Sequence, residues 1–477
     1  MKVSILKSLS NEIEKLLIDL KVHKNFQENE KENIISYLTT ALTDYDDISE
    51  ESVESYITFY ISINYKAIYQ RQAIIINDDT VIRHHEQMIS HVFDCTLEEL
   101  TAEPYATREK KVKELLKLPA TVQGSIPWLE ERMNCLTATA ISTALDENPY
   151  EWPIMLFLDK TIAKVKFAPT IMTHHGNKYE NIINMVYSYR NNVVVAEFGM
   201  IRHKKIAIVA ASPDGICTSS NGNKGNTKLV GRLVEIKCPY VRKILSTGKL
   251  DGEIIPHYYY VQVQVQLAVT DLDECMFVQC KIEEYPSWDI YVKDTNPYLE
   301  SLSNKYGMER GCVIRLQPRD GTGVLASKYL YPDKLHMINN EVKQWIADQA
   351  ISFESNELAK THYWDKPLFW KVTAYQENLV KREENWVEDR LKTLQRFWDY
   401  IEFFRTHPKK TEKIMKMLDQ DCPEAKDGKR KISFEQNAKY FKHIHEEFLK
   451  ENDVSFKPLY QTPSDERVKI MEKYGKK

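Results

Sequence analysis

The sequence predicts a mixed α/β (α+β) protein in which a β-rich centre is held between helical ends, and three observations carry that expectation. Glycine is scarce, fifteen in 477 residues, yet seven (Gly199, Gly215, Gly222, Gly225, Gly231, Gly248 and Gly252) fall between residues 199 and 252, where tight turns between strands need them. Short apolar runs in the same region, set between turn residues, read as successive strands. The flanking regions space apolar residues three and four apart, the period of a helix face.

In chain order, "SNEIEKLLIDLKV", "ENIISYLTTALTDY" and "EESVESYITFYISINYKAIYQRQAII" read as helices with Ser, Asn or Asp near their starts. "REKKVKELLKLP" is a basic helix stopped at Pro119, and the turn from Gly124 to Pro127 opens a new segment. "NNVVVAEFGMIRH", "KKIAIVAASPDG" and "KLVGRLVEIKCP" read as three successive strands, with "NGNKGN" at Asn221 to Asn226 as a hairpin loop. Further strands are expected at "ECMFVQCKIEEY" and "SWDIYVKD". Past about Asp333 the helical period returns in "KLHMINNEVKQWIADQAISF" and "ENLVKREENWVEDRLKTLQRFWDYIEFFRT". Five of the eight tryptophans lie between Trp345 and Trp398, which reads as helix core because large rings dominate packing. The expected organisation is a helical N-terminal region (1–118), a core (119–335) and a helical C-terminal extension (336–477).

Composition bounds the function. A 43% hydrophobic and 28% charged chain is ordinary for a globular protein, and no apolar run approaches the ~18 residues of a membrane span. The N-terminus carries charge in every turn, so it reads as an amphipathic helix rather than a secretory signal. Eight scattered cysteines without a CxxC pair argue against a zinc site and a disulfide framework and point to a reducing compartment. A formal charge of -4 gives no global pull on nucleic acid, so any such partner must meet local basic surface.

The chemistry concentrates in "SPDG" and "LVEIKCP". Side chains alternate along a strand, so Glu235 and Lys237 share one face while Val234, Ile236 and Cys238 face the other layer. If the two strands pair, Asp214 lands beside Glu235, and carboxylates that close repel unless a cation lies between them. Oxygen-only ligands suit a hard divalent metal such as Mg²⁺. Either fragment alone reads first as a half-buried ion pair and an ordinary turn.

Their joint order resembles the PD-(D/E)XK nuclease superfamily, and within it the branch of the phage lambda exonuclease, the YqaJ-like viral recombinases and the alkaline nucleases of large DNA viruses. "WLEERMNCLTATA", "HGNKYEN" and "YYVQVQVQLAVT" are similar to three further motifs of that branch, so five ordered motifs span about residues 120 to 295. The strict alternation from Val261 to Gln266 would by itself read as a strand, whereas the resemblance implies a helix with Gln262 and Gln266 one turn apart and Tyr259 below, a row placed to touch a DNA phosphate backbone or the attacking water.

The resemblance implies a restriction-endonuclease-like core with a central mixed β-sheet flanked by helices. It implies Glu180, Asp214, Glu235 and the Ile236 carbonyl as metal ligands, Lys237 as the catalytic lysine, and Gln262 as the residue completing the centre. Arg132, Thr139 and Ser212 match positions that bind a terminal 5′-phosphate, with Thr139 standing where serine is usual. The implied activity is a 5′→3′ exonuclease on double-stranded DNA using two Mg²⁺ ions, with Mn²⁺ as a substitute. An endonuclease or RNA-degrading nuclease with the same centre, or a DNA-end-binding scaffold, are the alternatives. A single-strand annealing protein is an expected partner, a monomer is favoured over a ring trimer, and the expected setting is the cytoplasm or nucleus of a virus-infected cell. Lys164, Lys166, Arg202, Lys204, Lys205, Arg242 and Lys243 are expected as a set to line a duplex path or to be solvated surface. Adjacent His174 and His175 read as structural or substrate-edge residues rather than ligands.

Overall fold

The computed structural model describes residues 31–42, 105–118, 125–162, 170–218, 229–304, 307–425 and 430–474, with a few isolated positions besides. Helices α1 (Lys31–Leu42), α2 (Tyr105–Leu115) and α3 (Ile126–Met133) precede a short strand β1 (Leu136–Thr137). Helices α4 (Ala138–Ala144), α5 (Pro153–Ile162) and α6 (Ile171–Arg190) follow. Strands β2 (Val194–Ala196), β3 (Ile201–Arg202), β4 (Val209–Ala211), β5 (Gly215–Thr218) and β6 (Leu233–Lys237) lead to helix α7 (His257–Thr270) and the long strand β7 (Glu274–Glu284). Helix α8 (Trp288–Lys293), strands β8 (Arg310–Pro318) and β9 (Lys328–Leu330), helix α9 (Asn339–Phe353) and strand β10 (His362–Lys381) come next. The chain ends in helices α10 (Trp386–Thr406), α11 (Pro408–Asp421), α12 (Phe434–Leu449) and α13 (Asp465–Tyr474).

The strands form two sheets, one of three strands in the order β1-β4-β3 and one of seven in the order β2-β5-β6-β7-β10-β8-β9. Only β1/β4 and β6/β7 are parallel, so the mixed sheet expected from the sequence is present with helices on both faces. Alternate residues of β6 enter different layers. Leu233 joins a core with the apolar residues of α7, α4, α5, α10 and α12, while Val234 and Ile236 pack with Tyr179, Ile182, Ile183 and Val186 of α6. All seven described cysteines are free and buried. Among the described residues no helix is long and apolar enough to cross a membrane.

Three local expectations are corrected. The residues after 335 are not all helical: β10 lies between β7 and β8, inside the large sheet. "ENLVK" is the end of that strand rather than the start of a helix, and α10 begins only after Asn385 turns the chain at φ 55°. "SWDIYVKD" is helix α8, because the Ser287 hydroxyl accepts from the Ile290 N–H and Asp289 sits in the first turn, both start signals for a helix. The hairpin loop expected at Asn221 to Asn226 lies outside the described residues, as does most of the first hundred. The expected core role of the late tryptophans is met at Trp370, Trp386 and Trp398, all buried.

Candidate active site

The site begins where the chain passes from the small sheet to the large one. Strand β4 ends at Ala211, Ser212 to Asp214 cross the gap, and Gly215 starts β5. Gly215 pairs with Val234 and Ile216 with Leu233, so the register continued by one residue sets Asp214 opposite Glu235. The glycine is required sterically, since a Cβ at Gly215 would stand 2.2 Å from Val195 Cγ1 on the neighbouring strand. Asp214 Oδ2 then accepts the Ile236 N–H at 2.7 Å, tying the carboxylate to the edge of β6.

Helix α7 supplies the other wall. Gln262 Nε2 donates to Glu235 Oε1 at 2.6 Å and Gln266 Nε2 to Oε2 at 2.6 Å, which requires one glutamine a helical turn above the other. The helix implied by the resemblance is therefore present where alternation alone reads as a strand. Gln264, on the opposite side, donates to the Lys381 carbonyl and accepts the Glu383 N–H, so both ends of its amide are satisfied. Lys237 Nζ hydrogen-bonds Glu235 Oε1 and lies 4.8 Å from the centre of the Tyr259 ring. Glu180 reaches the same place from α6, on the far layer, and lines a cleft of about 230 Å³ together with Lys237, Tyr259 and Arg242.

The electrostatics follow from this crowding. Burial raises the Asp214 pKa well above the usual carboxylate range, and Glu235 and Glu180 push it further, against the opposing pull of Lys237. Burial raises Glu180 to about 7, with Lys237 lowering it and Glu235 raising it. Burial alone would lower the Lys237 pKa, but Glu235 and Asp214 outweigh it and hold the amine protonated, above its ordinary value. Three carboxylates and an ammonium thus share one partly dry space.

Whether these residues fit a metal ion turns on the donor set. Glu180, Asp214, Glu235 and the Ile236 carbonyl offer oxygen only, and the carboxylates repel one another, which is the chemistry of a hard divalent cation site. A closed cage is not preformed: among the described residues no three His, Cys, Asp or Glu side chains are grouped as one, and both Glu235 oxygens are held by Lys237, Gln262 and Gln266. The fit is one of donor chemistry and charge.

A second cluster forms next to the first, two residues back along the chain. The Trp128 indole N–H donates to Ser212 Oγ at 3.2 Å, Arg132 stacks over the Trp128 ring at 4.5 Å, and Arg132 Nη2 donates to Thr139 Oγ1 at 3.3 Å. Arg132, Thr139 and Ser212 are therefore brought together, with Trp128 as the bridge. Helix α3, which carries Trp128 and Arg132, is held at its C-terminal end by cations from other elements. Lys160 of α5 donates to the Arg132 carbonyl, and Arg405 of α10 donates to the Met133 carbonyl at 2.5 Å and to Asn134 Oδ1 at 3.3 Å.

Sequence reasoning did not assign Trp128, Gln266 or Arg405. The first two lie inside the family-like motifs, whereas Arg405 carries no local signal because its partners are about 270 residues away in the chain. Of the basic set, Arg202 pairs with Glu131 and Arg242 donates to Gln279, while Lys204, Lys205 and Lys243 are exposed. Lys164 and Lys166 lie outside the described residues. His174 bonds the Tyr329 hydroxyl and His175 contacts the Cys238 thiol, both structural roles.

A mixed sheet with an acidic pair at the ends of adjacent strands, a lysine two residues on and a glutamine helix closing over them is the α/β arrangement that the resemblance to PD-(D/E)XK nucleases leads one to expect. The chain matches the YqaJ-like viral recombinase domain over residues 127–273. It is 40% identical over 408 residues to the uncharacterized protein R354 of Acanthamoeba polyphaga mimivirus, covering 84% of this chain and 72% of that one. The chain belongs to the YqaJ-like viral recombinase family. Among solved structures it is similar to an alkaline exonuclease (LHK-Exo) from Laribacter hongkongensis, at 15% identity and a TM-score of 0.34, over 61% of this chain and all of that one. The same enzyme in complex with dAMP gives 14% identity and the same score and coverage.

Proposed function

We propose that this protein is a Mg²⁺-dependent nuclease that resects double-stranded DNA ends in the 5′→3′ direction. The observation that carries the reading is the convergence of Glu180, Asp214 and Glu235 on a protonated Lys237 at the floor of an open cleft. Mg²⁺ held by Glu180, Asp214, Glu235 and the Ile236 carbonyl, as one or two ions, would polarise the phosphate and stabilise charge on the attacking and leaving oxygens. The chain's own groups do the rest.

Hydrolysis adds water to phosphorus and breaks the P–O3′ bond, leaving a 5′-phosphate on the shortened strand. Lys237, held protonated by its acidic neighbours, donates hydrogen bonds to the water and offsets negative charge as it grows on phosphorus. Gln262 and Gln266 fix the rotamer of Glu235 and so keep Lys237 in line. Arg132, with Thr139 and Ser212, offers a forked cation and two hydroxyls to a terminal phosphate, the chemistry that selects a strand end. Tyr259 lies over Lys237 at the cleft wall and would contact the strand. Membership of a viral recombinase family supports double-stranded DNA as substrate, an annealing protein as partner and an infected cell as the setting.

The test uses linear duplex with one labelled 5′-phosphate and a closed circular duplex, each with Mg²⁺, with Mn²⁺ and with chelator. Metal-dependent shortening of the linear DNA with the circle spared is the expected result, and nicking of the circle would turn the assignment to an endonuclease. Asp214→Asn should lose cleavage by on the order of 10³-fold while keeping its melting temperature and its DNA affinity. Undiminished cutting by that variant would overturn the centre.

A further inference from the structure

The cleft over Lys237 is small. Its volume of about 230 Å³ lies below the ~300–1,000 Å³ of a common ligand pocket, too little for two paired nucleotides. If the nuclease reading holds, on which this inference rests, the strand to be cut must enter unpaired, and its bases leave their stack at the mouth.

Two tyrosines, Tyr240 and Tyr259, line the cleft, and two more continue outward from Tyr259. Tyr259 forms the inner wall and meets Lys237. Tyr258 lies against Tyr259 with ring centres 4.2 Å apart, and Tyr150 stands edge-on to Tyr258 at 5.5 Å. The three rings make a continuous ladder from the amine outward, and its last rung is 77% exposed. Tyr240 lines the same cleft, packs against His175 at 5.1 Å and remains 52% exposed. Arg242 lines the same cleft and lies within electrostatic reach of Tyr258.

A single exposed ring is ordinary. A connected ladder that starts at solvent and ends on the reactive amine, with a second exposed ring and an arginine lining the same cleft, is the composition of a site that stacks nucleobases while following a phosphate chain. We propose that Tyr150, Tyr258 and Tyr240, with Arg242, form a stacking subsite for the unpaired bases of a single nucleic-acid strand. Stacking is indifferent to sequence because every base has a π-face, so the subsite would take a strand of any sequence and refuse intact duplex.

The experiment is fluorescence anisotropy of a 5′-phosphorylated hexathymidylate and of a blunt hairpin duplex, in Ca²⁺, with the whole chain. Tyr150 is exposed, so its variants should fold, and circular dichroism checks this. Tyr150→Ala should weaken oligonucleotide binding about tenfold, the loss of one stacked base. Tyr150→Phe should restore it and Tyr150→Leu should not, which separates a ring face from bulk. Wild type that cuts DNA but binds the oligonucleotide no better than Tyr150→Ala would overturn the subsite and leave the nuclease reading standing. Wild type that neither cuts nor binds would overturn both.

Discussion

Glu235 has no exposed surface, and a carboxylate so deeply placed is tolerable only with its oxygens occupied. Gln262, Gln266 and Lys237 provide those partners. The pairing of Asp214 with Glu235 was legible because strand alternation and register are short-range rules. The glutamine grip was not, since alternating Val and Gln satisfies a strand as well as a helix buried on most of its faces, and only the family resemblance decides. Sequence placed Gln262 and Gln266 on one face but suggested phosphate or water as their target, whereas both hold Glu235. The same helix starts at His257, whose ring lies between Asp251 (2.9 Å) and Glu147 (3.2 Å). Burial lowers the His257 pKa, but hydrogen bonds to the two carboxylates outweigh it and raise it to about 10. The folded value is above the unfolded one of roughly 6.5, so the stabilisation is complete below that pH and fades as pH rises through about 10. His257→Gln should therefore melt below wild type at pH 6, by on the order of 1–2 kcal/mol after allowing for solvent around Asp251. Thermal unfolding across pH 6 to 10 should show the gap closing, and a constant gap would assign the effect to packing instead.

At the scale of elements, α3 shows how a short helix is made to hold a precise side chain. Eight residues are too few to be stable alone, and none of them is buried. Ser125 caps its start, and the cations of Lys160 and Arg405 satisfy carbonyls at its end. Arg405 also donates to the Lys160 carbonyl at 2.9 Å, so α5, α10 and α3 meet at one point. A layer expected as an extension thus sets the orientation of Arg132. Arg405→Ala should lower the preference for phosphorylated over hydroxyl ends about tenfold, the same direction as Arg132→Ala, because the fork that should hold phosphate loses its anchor. Arg405→Lys should recover little of it, since one ammonium cannot reach the Met133 and Lys160 carbonyls as a fork does. The measurement is the ratio of KM values for the two ends, which a general loss of stability would leave unchanged.

At the scale of the molecule, the decisive element is β10, which was illegible as a strand. Pro367 stands in its first half opposite Ile314, the register slips between Trp364 and Lys366 and again between Val372 and Ala374, and proline normally argues against a central strand. The proline is tolerated because that stretch pairs with β8 alone: β10 bonds β8 along nine residues between His362 and Lys371, and β7 along eleven between Trp370 and Lys381. The residues that follow it, including Val387, Leu394, Phe397 and Phe404, complete the apolar core over α4, α5 and α7. The sheet that positions Asp214 and Glu235 is therefore closed by chain far downstream of the family motifs. A chain ending at residue 361 would leave β7 and β8 as long unpaired edges and uncover that core, both routes to association. It should aggregate or remain a dye-binding state with no cooperative melt, rather than a smaller active nuclease. Differential scanning calorimetry with dye binding checks this, and a cooperative transition in the shortened chain would make β10 an addition to the sheet instead of its keystone.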